Sequence, residues 1–178
     1  VAAKIHILPV SPPVPELNLL DRLSAGLASA LRVSCHVVTD VFDASFAFDS
    51  FRGQTYSTAV LARLAEAPIG DGDIMLGVCE ADLYVPVLTF VFGEAQYPGR
   101  AAIISAARLH EEFYGLPPDP VKLNERLLKE AIHEIGHTRG LGHCDDWNCV
   151  MVSSHRVERL DLKAAQFCSR CRKKFSAF

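Results

Sequence analysis

The 178-residue sequence predicts an α/β fold built on a partly parallel sheet. Three observations carry that expectation. Strand-like and helix-like segments alternate over the first eighty residues. Two strand candidates, Val87–Phe92 and Arg100–Ser105, are joined by a glycine-containing stretch and supply an antiparallel pair. A long amphipathic helix near 119–139 follows, with histidines on it at metal-ligand spacing.

In chain order, Lys4-Ile5-His6-Ile7-Leu8-Pro9-Val10 reads as a strand. Pro12, Pro13 and Pro15 then lead into an amphipathic helix near 15–31. A strand near 33–39 follows, and then an aromatic-rich connection, 40–54, with Phe42, Phe46, Phe48 and Phe51. A helix near 56–67 precedes a strand near 73–79, and the 87–105 pair comes next. Asp119-Pro120 is an N-cap followed by proline in the first turn. Leu123, Leu127, Leu128, Ala131 and Ile135 recur at helical spacing beyond it, so this helix buries one side in the core. A last helix near 160–174 is expected to carry Cys168 and Cys171. There is no internal repeat and no low-complexity linker, so 1–178 reads as one domain. Its parts are an N-terminal subdomain, 1–140, that includes the long helix, and a C-terminal subdomain, 141–178.

The chemistry is concentrated in His133-Glu134-Ile135-Gly136-His137-Thr138-Arg139-Gly140-Leu141-Gly142-His143, which reads HExxHxxGxxH. Residues four apart on a helix lie about 40° apart around the axis and about 6 Å along it. His133 and His137 therefore chelate one ion from one face. Glu134 sits beside the first ligand, in reach of a zinc-activated water, and is the candidate general base. His143 is too far along to share that face if the helix continues. Gly140 resolves this, because glycine at a helix C-terminus adopts φ > 0 and turns the chain back toward the metal. Three imidazoles leave zinc one open position, the mark of a catalytic site.

A second constellation follows at once. Four residues separate Cys144 from Cys149, two separate Cys168 from Cys171, and eighteen lie between the pairs. That is the spacing of a structural four-cysteine zinc site. A redox CxxC at 168–171 is the weaker reading, because it does not follow a strand that opens a βαβ unit. Two disulfides would need an oxidising compartment. Val1-Ala2-Ala3 leads directly into a strand and reads as neither signal nor transit peptide, so the expected localisation is cytoplasmic. Met151, shortly after the third histidine, suits a Met-turn, a packing floor beneath the ligands and not a ligand itself. Cys35 and Cys79 lie in strand-like surroundings and read as buried hydrophobes; His6 and His36 read as structural, and His110 as a surface residue.

HExxHxxGxxH with a downstream methionine resembles the metzincin clan of zinc peptidases. With Cys144, Cys149, Cys168 and Cys171 around that methionine, residues 133–171 resemble one family of the clan, the archaemetzincins. The resemblance implies a metzincin-like mixed α/β (α+β) fold: a twisted mixed sheet, an active-site helix and a small zinc-stapled C-terminal subdomain. It implies two Zn²⁺ per chain, one catalytic and one structural, and a peptidase acting on peptides or proteins bound along a sheet edge. It also implies an archaeal or eukaryotic origin. One departure stands out. Some metzincins place a tyrosine two residues after the methionine to stabilise the transition state. Here that position is Ser153, and no tyrosine follows His143 at all. His155 or a backbone N–H is the candidate replacement.

Composition agrees with a globular chain: 49% apolar, 22% charged, net charge −3. The mild negative balance gives no reason to expect nucleic acid, and no apolar run has membrane-spanning length. The basic cluster Arg170, Arg172, Lys173 and Lys174 reads as a solvated face at a helix C-terminus. Two rival functions are a non-catalytic zinc-stabilised binding protein on the same fold and a zinc hydrolase of a different amide. Glu134 argues against the first, since a metal store has no use for a base there.

Overall fold

A computed structural model describes residues 3–175. The elements run β1 (Lys4–Ser11), α1 (Leu17–Leu31), β2 (Ser34–Val37), β3 (Phe42–Asp43), β4 (Phe48–Asp49), β5 (Gln54–Tyr56) and α2 (Ser57–Leu64). They continue with β6 (Ile74–Cys79), β7 (Leu83–Tyr84), β8 (Gly93–Ala95), β9 (Ala101–Ser105), α3 (Pro120–Thr138), α4 (Val157–Leu162) and α5 (Ser169–Phe175). The main sheet has the order β2-β1-β6-β9-β8, with β3 also on β1. β2, β1, β6 and β9 are parallel, and β8 is an antiparallel edge on β9. A small second sheet, β4-β5-β7, gathers the aromatic connection.

The sheet is buried on both faces, as its parallel strands require. β1 shows why. Ile5 and Ile7 join Leu20, Leu27, Leu76, Leu127 and Ile132 under α1 and α3, while Leu8 and Val10 join Val60 and Leu64 under α2. Each fully buried leucine or isoleucine contributes about 1.5–3 kcal/mol of transfer free energy. α1 turns one stripe, Leu19, Leu20, Leu23 and Leu27, to the sheet and ends at Arg32 in the left-handed region, φ 58°. α3 starts as its sequence requires. The Asp119 side chain accepts the Lys122 N–H at 3.0 Å, and Pro120 fills the first turn. Leu127, Ala131, Ile132 and Ile135 are its buried stripe.

Three expectations are corrected. The antiparallel edge strand is Gly93–Ala95 and not Val87–Phe92, which is an irregular segment with one bridge, Leu83 to Val91. Apolar content misleads there, because Val87 is 88% exposed and Leu88 46%. Pairing with Ala102, Ile103 and Ile104 makes the edge strand, and small residues are selected where α3 approaches. The last helix is also two helices. Between them the chain leaves helical geometry at Lys163 and bends, held by Ala164 N–H to Asn148 O and by Val150 N–H to Gln166 O. Cys168 therefore precedes α5, and only Cys171 lies in it. His110 is half-buried and not a free surface group; its Nε2 is 2.9 Å from Glu80.

Candidate metal centre

α3 delivers the first two histidines, one helical turn apart. His133 Nδ1–H donates to the Val150 carbonyl at 2.9 Å, and His137 Nδ1–H donates to the Leu141 carbonyl at 2.7 Å. A carbonyl only accepts, so these bonds fix the tautomer and leave each Nε2 with a bare lone pair. The two Nε2 atoms stand 3.0 Å apart. Facing lone pairs at that distance repel, and a divalent cation between them replaces repulsion by coordination. Burial holds all three imidazoles below their ordinary pKa, His133 well below, which keeps them in the ligating form.

The third histidine arrives through a helix stop of defined chemistry. Gly140 has φ 72°; its N–H donates to His137 O at 2.8 Å, and Leu141 N–H donates to Gly136 O at 3.0 Å. That pair of bonds is a Schellman motif with glycine in the left-handed position. It reverses the chain so that the ligand atoms of His133, His137 and His143 lie within 4.8 Å of one another. Met151, fully buried, lies under the same turn. A Cβ on Gly136 would overlap Met151 Sδ, so glycine at the fourth position of HExxH makes room for the methionine here.

Glu134 is buried beside His133. Burial, reinforced by the neighbouring Glu130 carboxylate, pushes it well above the usual carboxylate range. Burial raises Glu130 also, with Lys163 opposing. Lys163 is itself buried, 2% exposed, and its Nζ donates to the Val152 carbonyl at 3.2 Å. Burial pulls its pKa down, while Glu130 and Glu134 hold it up. On the opposite wall, Gly93 of β8 leaves room for Glu134; a Cβ there would come within 2.8 Å of Glu134 Cγ. β8 is braced from behind by Glu94, which accepts from Ser57 Oγ at 2.5 Å and Thr58 Oγ1 at 2.8 Å.

Glu130, Glu134 and the three histidines line a cleft of about 410 Å³ between residues 88–95, α3 and the segment Ser153–His155. Ser153 Oγ and His155 Nε2 are 3.2 Å apart in its wall. A larger cavity, about 930 Å³, opens behind α3 against Ile135 and Phe167 and contains none of the candidate ligands.

The four cysteine sulfurs also lie within 4.8 Å of one another. Cys168 N–H points at Cys149 Sγ at 3.3 Å, Cys171 N–H at Cys168 Sγ at 3.5 Å, and Arg170 Nη2 at Cys144 Sγ at 3.3 Å. Donors converging on sulfur suit thiolates. Burial alone would raise Cys144, but hydrogen bonds from Asp146 N–H, Arg170 and the neighbouring cysteines outweigh it and bring it to about 7. Arg170 is thus more than part of a solvated face. The two clusters are tied through the backbone, because Cys144 N–H donates to Met151 O at 3.0 Å.

A family model described as Peptidase family M54 matches residues 31–177. The chain belongs to the archaemetzincins, peptidase family M54. The archaemetzincin of Methanocaldococcus jannaschii is 46% identical over 140 residues, 79% of this chain and 76% of that protein. The archaemetzincin crystal structure from Methanopyrus kandleri has a TM-score of 0.83 and 37% identity, covering 99% of this chain and 94% of that one. A zinc-dependent peptidase from Methanocorpusculum labreanum gives 0.86 and 32%, covering 96% and 99%. As an archaemetzincin, the chain is a zinc metallopeptidase, and its substrates are peptides or proteins. No helix among the described residues is long and apolar enough to cross a membrane.

Sequence reasoning missed Glu130, Lys163, Gly93, Gly136 and Tyr97. Glu130 had a signal, since it lies four residues before Glu134 and shares its helix face. Lys163 and Tyr97 had none, because only folding brings them to α3.

Proposed function

We propose that Glu134 is the general base of peptide-bond hydrolysis at a zinc ion held by His133, His137 and His143. A second, structural zinc ion sits among Cys144, Cys149, Cys168 and Cys171. The observation that carries the reading is the pair of Nδ1–H bonds from His133 and His137 to backbone carbonyls, which aims both lone pairs at one point. The bound zinc supplies a Lewis acid and lowers the pKa of a coordinated water, to about 7 in well-studied zinc enzymes. Glu134 takes a proton from the attacking water as the C–O bond forms. It returns the proton to the leaving amine as the C–N bond breaks. Met151 and Gly140 are structural supports, one filling the floor and the other directing His143.

An extended peptide adds to the free edge of β8 over Glu134. Residues 1–140 form the upper part and 141–178 the zinc-stapled lower part of one peptidase unit, working where thiolates stay reduced, the cytoplasm.

The test compares wild type and Glu134→Ala on a diverse peptide library, with zinc content measured for both. Two zinc ions per chain in each, and a kcat loss of about 10²–10⁴-fold in the variant, are expected. Cleavage that survives Glu134→Ala removes the base from the mechanism. One zinc per chain removes one of the two sites.

A further inference from the structure

We infer that Tyr97 forms the wall of the subsite for the substrate residue just before the scissile bond, and that it selects apolar side chains there. The inference deepens the peptidase reading above and rests on it.

Tyr97 lies two residues beyond β8, in the hairpin that returns to β9. Side chains alternate along a strand, so Gly93 and Ala95 share one face; Tyr97 follows in the bend beyond the strand and is placed by its contacts. Gly93 faces Glu134 and Ala95 packs on the α3 side of the core. Tyr97 follows them toward the far end of the helix. Its ring and the His137 imidazole form a T-shaped pair, with centroids 6.0 Å apart and planes at 76°, and the exposure of the ring leaves it open to a ligand. Its hydroxyl lies along Gly142, 3.5 Å from where a Cβ would stand. The ring thus touches the chain on both sides of the helix stop while remaining 61% exposed.

The hairpin tip is fixed, which makes the ring a wall and not a passing contact. Gln96 Oε1 accepts from Arg100 N–H at 2.9 Å and Ala101 N–H at 3.2 Å, closing the turn on itself. Gly99 N–H donates to Thr138 O at 3.0 Å, pinning the tip to the C-terminus of α3.

Substrate direction assigns the subsite. We take the added strand to run antiparallel to β8, as β9 does on its other side, so that the peptide starts where β8 ends. Glu134 under Gly93 marks the scissile bond, so residues before that bond pass Ala95 and Tyr97. Those after it pass Phe90 and Val91. Tyr97 is against His137 itself, which places it next to the metal and hence beside the first residue on that side. An open aromatic face at the rim favours an apolar side chain over a charged or absent one.

The test uses zinc-loaded protein and one peptide series in which only the residue before the cleaved bond varies: Gly, Asp, Leu or Phe. Turnover is measured in wild type, Tyr97→Phe and Tyr97→Ala. Affinity for the same peptides is measured calorimetrically in Glu134→Ala with and without Tyr97→Ala. Wild type is expected to prefer Leu and Phe. Tyr97→Ala should raise KM for them about tenfold, the size of a lost apolar contact, leaving the Gly peptide and kcat nearly unchanged; Tyr97→Phe should match wild type. Equal Leu and Gly affinities with and without Tyr97 overturn the assignment. So does a kcat loss in Tyr97→Phe at constant KM, which makes the phenol a transition-state donor instead. Absence of all turnover, with the Tyr97-dependent affinity intact, defeats the peptidase mechanism and leaves the subsite standing.

Discussion

Gly136 does its work by having no side chain. Met151 occupies the space a Cβ would take, and Met151 sits under the turn that joins His133 to His137. Gly136→Ala is therefore an overpacking change, expected to cost about 1–3 kcal/mol and to loosen zinc, read by urea unfolding and competition with a chromogenic chelator. Lys163 is the second such residue. Buried with Glu130 and Glu134, it balances charge that the pocket cannot solvate. Removing one partner of a buried charge set costs roughly 3–5 kcal/mol. Lys163→Met should lose that much stability, and adding Glu130→Gln should restore part of it; strict additivity in the double variant would show that the two do not interact. His155, exposed in the cleft wall beside Ser153, is the candidate to test for the role of the absent tyrosine. If it stabilises the oxyanion, His155→Ala lowers kcat about 10²-fold at constant KM, and an unchanged kcat leaves that role to a backbone N–H. Glu80 raises the His110 pKa above its ordinary value by hydrogen bonding. A raised folded-state pKa stabilises the fold fully below the unfolded pKa, near 6.5, and the gain is lost as pH rises through the folded value. The Tm difference between wild type and Glu80→Gln should accordingly shrink from pH 6 to pH 8.

Among the elements, α3 was the most legible and β8 the least. Asp119, Pro120 and Gly140 mark both ends of α3 in one dimension, because caps act on the backbone a few residues away. Gly140→Ala keeps the composition and strains the left-handed position by about 1–2 kcal/mol. It should weaken catalytic zinc binding more than it lowers Tm, since His143 lies three residues past the turn. β8 escaped because Gly93-Glu94-Ala95 carries no strand propensity. What makes it a strand is Ala102 and Ile103 on β9, and what makes it small is Glu134 underneath. α4 and α5 merged into one helix for a related reason. The bent stretch between them is held by bonds to Asn148 and Val150, which flank Cys149.

Over the whole molecule, the two metal clusters meet at His143-Cys144, and Cys144 N–H holds Met151 O. The C-terminal part thus reaches the histidine cluster through its cysteine cluster. Cys149→Ser should reduce zinc to one ion or fewer per chain and weaken the His site too. Wild-type affinity at the His site in that variant would uncouple the two clusters. The sequence by itself marked the histidine and cysteine clusters whose ligand atoms the fold brings together, the carboxylate beside the first histidine, and the turn that returns His143. All of these are encoded in spacing along at most a few turns of chain, where local geometry is nearly fixed. Only the tertiary structure decided which strand forms the cleft edge and which buried charges surround Glu134. It also decided that Tyr97 stands against His137. These are contacts between residues far apart in the chain, and their energies come from burial and charge, which no local pattern records.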